Sequence, residues 1–303
     1  MIHDLVIIGG GPAGLAAAIY AGRAKLEGFI LEKMSPGGQV LITDLVENYP
    51  GFPEGITGFE LVEKLSAHAQ KFGFGVENGE VQKIEVEGEN FNLILTDDRT
   101  ITSKTVIVAT GATHRRLGVE GEERLTGRGV SYCATCDGPF FRDQVVAVVG
   151  GGDSAVQEAI FLTKFAKKVF LIHRRDELRA IKILQERAFS NEKIEFIWDS
   201  IVEAIEGKDQ VESIRIFNKK SGEVTDLPVD GVFIFIGIEP VTGFVRDLVK
   251  TDERGFIKTD EWMRTSVKGI YAAGDCRRKP LLQIVTAVAE GATAAYAVEH
   301  DLS

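Results

Sequence analysis

The chain carries two cysteines at a spacing that suits reversible disulfide chemistry. Cys133 and Cys136 enclose two residues, and a glycine-rich turn begins further along at Gly150. In such a pair one cysteine can attack the disulfide of a partner while the other resolves the mixed disulfide. A zinc site would need four ligands, and only Cys276 and five scattered histidines could complete it. A permanent structural disulfide fits poorly in a reducing compartment, so we interpret the pair as a redox-active dithiol.

Asp137 follows the second cysteine directly. A carboxylate at this position would oppose the formation of a thiolate, so activation of a nucleophile is not its expected role. We expect it instead to give a proton to a leaving sulfur and to take one back. An aspartate that only caps a turn is the alternative.

The start of the chain predicts a dinucleotide-binding unit. Its expected elements are a strand (His3–Ile8), a helix (Ala13–Lys25) and a second strand (Gly28–Leu31). Between them, Gly9 permits a tight turn, Gly11 lets the backbone approach a pyrophosphate, and Gly14 lets helix and strand pack closely. Glu32, at the end of the second strand, can accept hydrogen bonds from a ribose diol.

The first site does not by itself distinguish FAD from NAD. A second acidic residue, Asp275, follows Gly274 at the end of another predicted strand. It could bind the ribityl chain, which a flavin has and NAD lacks. A closing helix is predicted over Pro280–His300.

The same unit occurs a second time, which predicts two dinucleotide-binding folds of the α/β class. Its turn contains Gly150, Gly152, Asp153, Ser154 and Ala155, and its second strand is Lys168–Ile172. That strand leads into His173, Arg174 and Arg175 in place of an acid, with Arg179 close behind. Guanidinium groups bind phosphate in pairs of hydrogen bonds, so this site predicts NADP. The charge of Asp153 would repel a pyrophosphate unless the side chain points away and caps its helix.

Composition narrows the class of protein. A length of 303 residues allows one large or two medium domains, and the net charge of −10 argues against nucleic acid as a partner. The sequence has no apolar run long enough for a membrane span and no recognisable signal peptide. We therefore expect a cytoplasmic protein.

Together the motifs resemble the low-molecular-weight thioredoxin reductases. The segments that carry the resemblance are Gly9–Gly14, Gly37–Gln39, Glu47–Gly51, Ala109–Ala112, Cys133–Gly138, Gly150–Ala155, His173–Asp176 with Arg179, and Gly274–Asp275 with Gln283. They span nearly the whole chain. The resemblance implies FAD and NADPH as cofactors, thioredoxin as partner, no metal, and a homodimer. It also implies an NADPH domain (114–245) inserted into a discontinuous FAD domain (1–113 and 246–303).

The resemblance also implies roles for individual residues. Cys136 would face the flavin, Cys133 would attack thioredoxin, and Asp137 would move the proton. The implied FAD-binding residues are Gly9, Gly11, Pro12, Ala13, Gly14, Glu32, Lys33, Gly38, Gln39, Asn48, Thr110, Gly111, Gly274, Asp275, Gln283 and Ile284. The implied NADPH-binding residues are Gly150, Gly152, Asp153, Ser154, Ala155, His173, Arg174, Arg175 and Arg179. Leu282 departs from the family, which often has arginine there.

The expected activity is electron transfer from NADPH through FAD and the Cys133–Cys136 disulfide to oxidised thioredoxin. One alternative is a flavin reductase that feeds another small dithiol protein or a peroxide-linked system. Another is a flavoprotein that senses redox state without catalysis.

Overall fold

The chain folds into two compact units in a computed structural model that describes residues 1–43 and 45–303. Unit 1 comprises Met1–Thr113 and Glu239–Ser303, and unit 2 comprises His114–Ile238. The sequence-based division returned to the first domain later, at residue 246. Within the described ranges, no helix combines the length and the apolar character needed to cross a membrane.

Unit 1 is built on a seven-stranded sheet. Its strands are β1 (Ile2–Ile8), β2 (Gly28–Glu32), β3 (Val76–Asn78), β4 (Val81–Glu87), β5 (Asn90–Leu95), β6 (Thr100–Val108) and β17 (Ile270–Ala272). Its helices are α1 (Pro12–Arg23), α2 (Gly58–Lys71) and α7 (Ile284–Leu302), with 3₁₀ turns at Gly38–Ile42, Gly243–Val245 and Gly274–Cys276. The strand order is β3-β2-β1-β6-β5-β4, and β17 pairs with β6. The strands β1, β2, β3, β6 and β17 pair in parallel, whereas β4 and β5 form antiparallel pairs.

The second half of the central strand β1, Leu5–Ile8, is apolar because both of its faces are buried. Leu5 and Ile7 belong to a core cluster that includes α1 and α7, whereas Val6 and Ile8 belong to a cluster on the opposite face. The alternating directions of side chains along a strand divide the run between the two layers.

The bounds of the two helices predicted in unit 1 differ from the structure at both ends, by one to four residues. The first helix ends at Arg23 rather than at residue 25, because Lys25 has the left-handed φ of 61°. The closing helix begins at Ile284 rather than at residue 280. Gln283 is still extended there, and its N–H donates to Thr286 Oγ1 at 3.3 Å.

The last turn of α7 is fixed to the sheet by an ionic cluster. Arg264 donates to both carboxylate oxygens of Asp301 at 2.8 and 2.7 Å, and the Tyr271 hydroxyl donates to the same carboxylate at 2.7 Å. The hydrogen bond from Arg264 is the main reason that the pKa of Asp301 lies well below its usual range. The carboxylate therefore stays ionised at neutral pH.

Unit 2 repeats the plan around a five-stranded parallel sheet of order β11-β10-β9-β15-β8. These strands are β8 (Val130–Ser131), β9 (Val145–Gly150), β10 (Lys168–Ile172), β11 (Ile194–Ile197) and β15 (Gly231–Phe235). A second, antiparallel sheet contains β12 (Ser200–Glu206), β13 (Ser213–Asn218) and β14 (Val224–Pro228). The helices are α3 (Glu122–Leu125), α4 (Ala134–Asp137), α5 (Asp153–Leu162) and α6 (Lys182–Phe189), with a 3₁₀ turn at Gly138–Phe141. The strands β7 (Ala112–His114) and β16 (Ile238–Pro240) stand where the chain passes between the units.

Strand β9 divides its side chains as β1 does. Val146 and Val148 pack in the cluster that contains α5 and α6, and Ala147 and Val149 pack on the opposite face. The predicted duplication of the α/β unit is therefore visible in the packing of each central strand as well as in the two turns.

Candidate active site

The two predicted redox cysteines are joined in a disulfide within unit 2. Cys133 directly precedes the short helix α4, which contains Cys136, and the two Cα atoms lie 5.4 Å apart. The side chain of Cys136 is exposed and that of Cys133 is half-buried. The arrangement leaves the disulfide accessible to a reaction partner.

Backbone hydrogen bonds distinguish the two sulfur atoms. The N–H of Cys136 donates to Cys133 Sγ at 3.1 Å, and the N–H of Asp137 donates to the Cys133 carbonyl at 3.1 Å. Ser131 holds the backbone of Cys133 with two further hydrogen bonds. Its buried hydroxyl accepts from the Cys133 N–H at 3.0 Å and donates to the Cys133 carbonyl at 3.2 Å. A donor aimed at Cys133 Sγ favours negative charge on that sulfur after reduction.

A buried carboxylate fixes the segment before the disulfide. Glu122 is 3% exposed and accepts from the Tyr132 hydroxyl at 2.6 Å and from the N–H groups of Leu117 and Gly118 at 2.9 and 2.6 Å. Burial opposes the ionisation of Glu122, but these hydrogen bonds outweigh it and lower its pKa. Burial and the carboxylate together raise the pKa of Tyr132 to about 12. Tyr132 therefore remains a neutral donor directly before Cys133.

Asp137 lies at the end of α4 and lines a cavity of about 400 Å³ in unit 2. The cavity is also lined by Phe140, which is 78% exposed, and by Arg128. The predicted proton-transfer residue thus lies beside the disulfide at a site that solvent and a partner can reach.

The second glycine turn has the geometry of an anion-binding helix start. Helix α5 follows Gly152 without a side-chain cap, so its first N–H groups are open to a ligand. A Cβ atom on Gly152 would meet nothing within 4 Å, whereas one on Gly151 would lie 2.4 Å from the His173 ring. The imidazole therefore forms one wall of the turn, and its Nε2 has no hydrogen-bond partner in the described part of the chain.

Three guanidinium groups surround this histidine. Burial is the main cause of the lowered pKa of His173, and the positive charges of Arg179, Arg174 and Arg175 lower it further. All three arginines are therefore close enough to act electrostatically on this imidazole. All three are exposed, and among the described residues none of them forms an ion pair. The arrangement offers unneutralised positive charge beside the glycine turn, which fits a 2′-phosphate.

Asp153 does not cap its own helix, which was one of the two possibilities that the sequence left open. Its Oδ1 instead accepts the N–H of Ile181 at 2.7 Å, across a loop. The carboxylate is therefore held by a backbone donor of the segment that carries Arg179.

The first glycine turn in unit 1 is closed on one side and open on the other. A Cβ atom on Gly14 would lie 1.9 Å from the Gly9 carbonyl oxygen, and one on Gly9 would lie 2.5 Å from the Ala109 carbonyl oxygen. A Cβ atom on Gly11 or on Gly111 would meet nothing within 4 Å. Gly9 and Gly14 therefore face the protein backbone, whereas Gly11 and Gly111 face free space. This free space fits a dinucleotide pyrophosphate at Gly11.

Glu32 closes the turn from the second strand. Its carboxylate accepts from the Gly10 N–H at 2.7 Å and from the Met34 N–H at 3.0 Å. Each carboxylate oxygen keeps a further lone pair for a ribose hydroxyl. The ammonium of the neighbouring Lys33 is paired with Glu80 at 3.2 Å.

Hydrogen bonds bring several distant FAD-site candidates together within unit 1. The Asn48 amide donates to Gln283 Oε1 at 2.8 Å, and the Gln39 amide donates to the Ala112 carbonyl. Ile284 packs beside them in a small apolar cluster as the first residue of α7.

Two other candidates are fixed by the backbone after β6. The Thr110 hydroxyl donates to the Val241 carbonyl at 2.6 Å, and the Gly111 carbonyl accepts from the Val241 N–H at 3.0 Å. Gly111 has a φ of 66°, which favours glycine. The turn at Gly111 therefore lies beside the open space without a side chain of its own.

Asp275 lies at the edge of a buried charge network. The Lys279 ammonium, whose side chain is 3% exposed, lies 3.0 Å from Asp275 Oδ1 and 3.2 Å from Glu290 Oε2. Glu290 also pairs with Arg277 at 2.8 Å and accepts the Gly274 N–H at 2.8 Å. Asp275 Oδ1 has ionic contact with Lys279 but no hydrogen bond of good geometry among the described residues, so it can still accept a hydrogen bond from a ligand hydroxyl.

Known proteins match the chain over nearly its whole length. Residues 3–291 match the model of the pyridine nucleotide-disulphide oxidoreductases. A thioredoxin reductase of Listeria innocua is 49% identical over 97% of this chain and 92% of that protein. The crystal structure of a thioredoxin reductase from Lactococcus lactis is 48% identical, covers 99% of both chains and superposes with a TM-score of 0.96. One from T. acidophilum is 38% identical over 99% of this chain and 98% of that chain, with a TM-score of 0.93.

The chain belongs to the thioredoxin reductases of the pyridine nucleotide-disulphide oxidoreductase family.

The predicted family, the α/β fold of Rossmann type and the assignment as an oxidoreductase are therefore confirmed.

Sequence reasoning missed several residues of this thioredoxin reductase site. Ser131 and Glu122 gave no signal, because their importance lies in hydrogen bonds to the segment of Cys133. Glu290 could have been recognised from the sequence, since it is the only charged residue in the stretch 284–298. A single carboxylate in an alanine-rich helix indicates a buried partner, which is the pair of Lys279 and Arg277.

The third cysteine is separate from the redox pair. Cys276 is fully buried in unit 1, and burial raises the pKa of its thiol to about 11. Its Sγ donates toward the Val108 or the Ala273 carbonyl at 3.3 Å. It therefore remains a neutral thiol at neutral pH.

Proposed function

We propose that this chain passes electrons from NADPH through FAD to the Cys133–Cys136 disulfide and from there to oxidised thioredoxin. It is a thioredoxin reductase, and the members of its family use FAD and NADPH. The observation that carries the proposal is a disulfide in the same compact unit as a glycine turn whose neighbouring guanidiniums form no ion pair with any described residue. That arrangement supplies both the electron donor and the disulfide relay.

In this proposal unit 1 is the FAD domain. The turn from Gly9 to Gly14 holds the pyrophosphate, and Glu32 holds a ribose. Asp275 Oδ1, which lies 3.0 Å from the Lys279 ammonium, also accepts a hydrogen bond from the ribityl chain. The remaining contacts come from Lys33, Gly38, Gln39, Asn48, Thr110, Gly111, Gly274, Gln283 and Ile284.

Unit 2 is the NADPH domain. Gly150, Gly152, Ser154 and Ala155 form the turn at the start of α5 and contact the pyrophosphate through the backbone. Arg174, Arg175 and Arg179 hold the 2′-phosphate. Their exposure supports that role, as does their lack of ion pairs within residues 1–43 and 45–303. His173 stays neutral at the wall of the turn, because its pKa is lowered.

The two cysteines carry out the disulfide exchange. Bound FAD would supply the redox chemistry that connects NADPH to the disulfide, and two electrons with two protons convert the disulfide into a dithiol. The Cys133 thiolate then attacks the disulfide of thioredoxin and releases one thioredoxin thiol. Cys136 attacks the mixed disulfide, which restores the Cys133–Cys136 bond and releases reduced thioredoxin. The N–H of Cys136, 3.1 Å from Cys133 Sγ, supports Cys133 as the attacking sulfur.

Asp137 moves the protons of this exchange. It donates a proton to a thiolate as that thiolate leaves, and it recovers a proton when the dithiol is oxidised again. Its place on α4 directly after Cys136, facing an open cavity, supports this role.

We also propose a cytoplasmic homodimer. Unit 1 exposes aromatic side chains on each of its three helices, namely Tyr20, Phe59 and Tyr296, at 50%, 55% and 55%. Such side chains are typical of surfaces that become buried in an assembly. Cell fractionation that recovers the protein outside the cytoplasm would contradict the proposed location.

The donor and the acceptor are tested by one anaerobic titration of the holoenzyme. NADPH is expected to bleach the visible absorbance of the flavin far more readily than NADH, and oxidised thioredoxin is expected to restore it. Absence of bleaching by NADPH would overturn the donor. Reoxidation by oxygen but not by thioredoxin would favour the alternative flavin reductase.

The disulfide route is tested with Cys136→Ser. This variant should keep the reduction of the flavin by NADPH and lose the reduction of thioredoxin, because no disulfide can form. Cys276→Ser is the matched control and should keep full turnover, since that thiol lies buried in unit 1. Thioredoxin turnover in Cys136→Ser would show that the electrons take another path.

A further inference from the structure

The segment that carries Arg179 is attached directly to the second glycine turn. The N–H of Arg179 donates to the Gly151 carbonyl at 2.7 Å, and the N–H of Ile181 donates to Asp153 Oδ1 at 2.7 Å. Residues 176–181, here called the Arg179 segment, thus have two hydrogen bonds to the turn. One uses backbone only, and the other depends on the side chain at position 153.

The opposite side of the Arg179 segment is fixed by packing. Leu178 and Ala180 are 6% and 5% exposed and belong to the core cluster of α5 and α6. The Gln185 amide donates to the carbonyls of both residues, at 3.3 and 2.6 Å. The buried neighbours on each side leave the Arg179 side chain on the surface, so the place of its guanidinium follows from how the segment sits on the turn.

The carboxylate of Asp153 is unfavourable for a dinucleotide by charge alone. It begins α5, whose N-terminal N–H groups face the expected pyrophosphate, and two negative groups there repel each other. A carboxylate at position 153 therefore needs a structural explanation other than contact with the pyrophosphate. The structure gives one, because the N-cap residue of α6 is Ile181, whose side chain cannot act as a cap, and Asp153 Oδ1 accepts the Ile181 N–H.

We propose that Asp153 is a positioning residue that holds Arg179 beside the 2′-phosphate and thereby sets the preference of the site for NADPH over NADH. The inference rests on the proposed function, since it assumes that unit 2 binds NADPH. Asp153 acts through the Arg179 segment and makes no contact of its own with the phosphate.

Charge and position can be separated by two substitutions. Asp153→Asn removes the charge but keeps an oxygen that can accept the Ile181 N–H. Asp153→Ala removes both. Loss of the charge should strengthen the binding of phosphorylated and unphosphorylated nucleotides alike. Loss of the acceptor should weaken only the contribution of the 2′-phosphate.

The experiment measures the affinities of 2′,5′-ADP and 5′-AMP for the FAD-loaded enzyme by calorimetry, and the ratio of the two affinities is the readout. Asp153→Ala should lower the ratio roughly tenfold, the size of one charge-assisted hydrogen bond. Asp153→Asn should stay within about twofold of the wild type. Arg179→Ala shows how far the affinity ratio falls when the guanidinium itself is removed. If Asp153 acts through Arg179, the double variant Asp153→Ala with Arg179→Ala should lower the ratio little more than Arg179→Ala alone.

A second readout does not involve the nucleotide. Hydrogen exchange at the Ile181 amide should be faster in Asp153→Ala than in the wild type and slow in Asp153→Asn. This measurement shows whether the hydrogen bond itself has been removed.

The outcomes separate the two proposals. A wild-type enzyme without preference for 2′,5′-ADP would overturn the NADPH site of the proposed function, and the inference with it. A clear preference in the wild type that Asp153→Ala retains would overturn only the role of Asp153. The same holds if Asp153→Asn loses the preference as fully as Asp153→Ala.

Discussion

One backbone N–H makes the two sulfurs of the redox pair chemically unequal. It belongs to Cys136 and donates to Cys133 Sγ, so negative charge is favoured on Cys133 once the disulfide is reduced. Solvent exposure alone would favour Cys136 as the more reactive sulfur, because its side chain is the more exposed of the two. For a thiol the fraction of thiolate controls reactivity near neutral pH, and we expect the hydrogen bond to decide.

This inequality can be measured by alkylation. When the enzyme is reduced anaerobically with NADPH and treated with less than one equivalent of iodoacetamide, Cys133 should be labelled several times faster than Cys136. Peptide mapping by mass spectrometry gives the ratio. Cys276 is the internal control and should remain unlabelled in the folded protein, because it is fully buried. Labelling of Cys136 first would reverse the proposed roles of the two cysteines.

At the scale of elements, the contact between α1 and α7 positions residues of the proposed FAD site. The two helices cross closely because small residues face each other, and a Cβ atom on Gly291 would lie only 2.0 Å from the Ala13 carbonyl oxygen. Ala13 belongs to the first turn of α1, directly after Gly11 and Pro12. Helix α7 begins with Ile284 after Gln283, so its position also fixes these two candidates.

Gly291→Ala should therefore weaken both stability and FAD binding. In an isolated helix alanine would be favoured by about 1 kcal/mol, but the clash is with a backbone oxygen that cannot move aside. We expect a net loss of about 1–3 kcal/mol in the free energy of unfolding and a lower FAD content after purification. Thermal unfolding and the ratio of flavin to protein absorbance measure the two effects.

Gly75→Ala is the matched control for this change. A Cβ atom on Gly75 would meet nothing within 4 Å, and this glycine is not among those with positive φ. Both variants restrict the unfolded chain equally, so a difference between them reports the clash. A Gly291→Ala protein with the stability and FAD content of the control would contradict the role of this contact.

At the scale of the whole molecule, unit 1 exposes aromatic side chains on α1, α2 and α7. Tyr20 and Phe59 lie on α1 and α2, which pack against each other. Unit 2 has exposed apolar side chains as well, including Val224 on β14. The proposed homodimer assigns the first group to the interface between subunits.

Sedimentation velocity of the FAD-loaded protein should show a dimer. The double variant Tyr20→Asp with Phe59→Asp should shift the species toward the monomer, because the charges oppose burial of the interface. Val224→Asp, a similar change on unit 2, should leave the dimer intact. A monomeric wild type would overturn the proposed assembly, and an unchanged double variant would place the interface elsewhere.

The sequence by itself determined the family and the duplicated fold. It also predicted a tight turn at Gly9 and close packing at Gly14, and the structure has both, because such a turn restricts the residue types that fit it. The strand Lys168–Ile172 was predicted with its observed bounds, since an apolar run between turn residues allows little else. The start of α7 was predicted four residues too early, because the N–H of Gln283 and the hydroxyl of Thr286 decide it.

Only the tertiary structure decided how charged residues are used. From the sequence Asp153 was a carboxylate that repels phosphate or caps its helix, and its actual partner, the N–H of Ile181, is 28 positions away. The ion-pair partners of Glu290 and the hydrogen-bond donors to Glu122 could not be identified from the sequence either. Local patterns determine turns and strands because their physical causes are neighbours in sequence. The partner of a buried or bridging charge is set by which distant segments the fold brings within hydrogen-bonding distance.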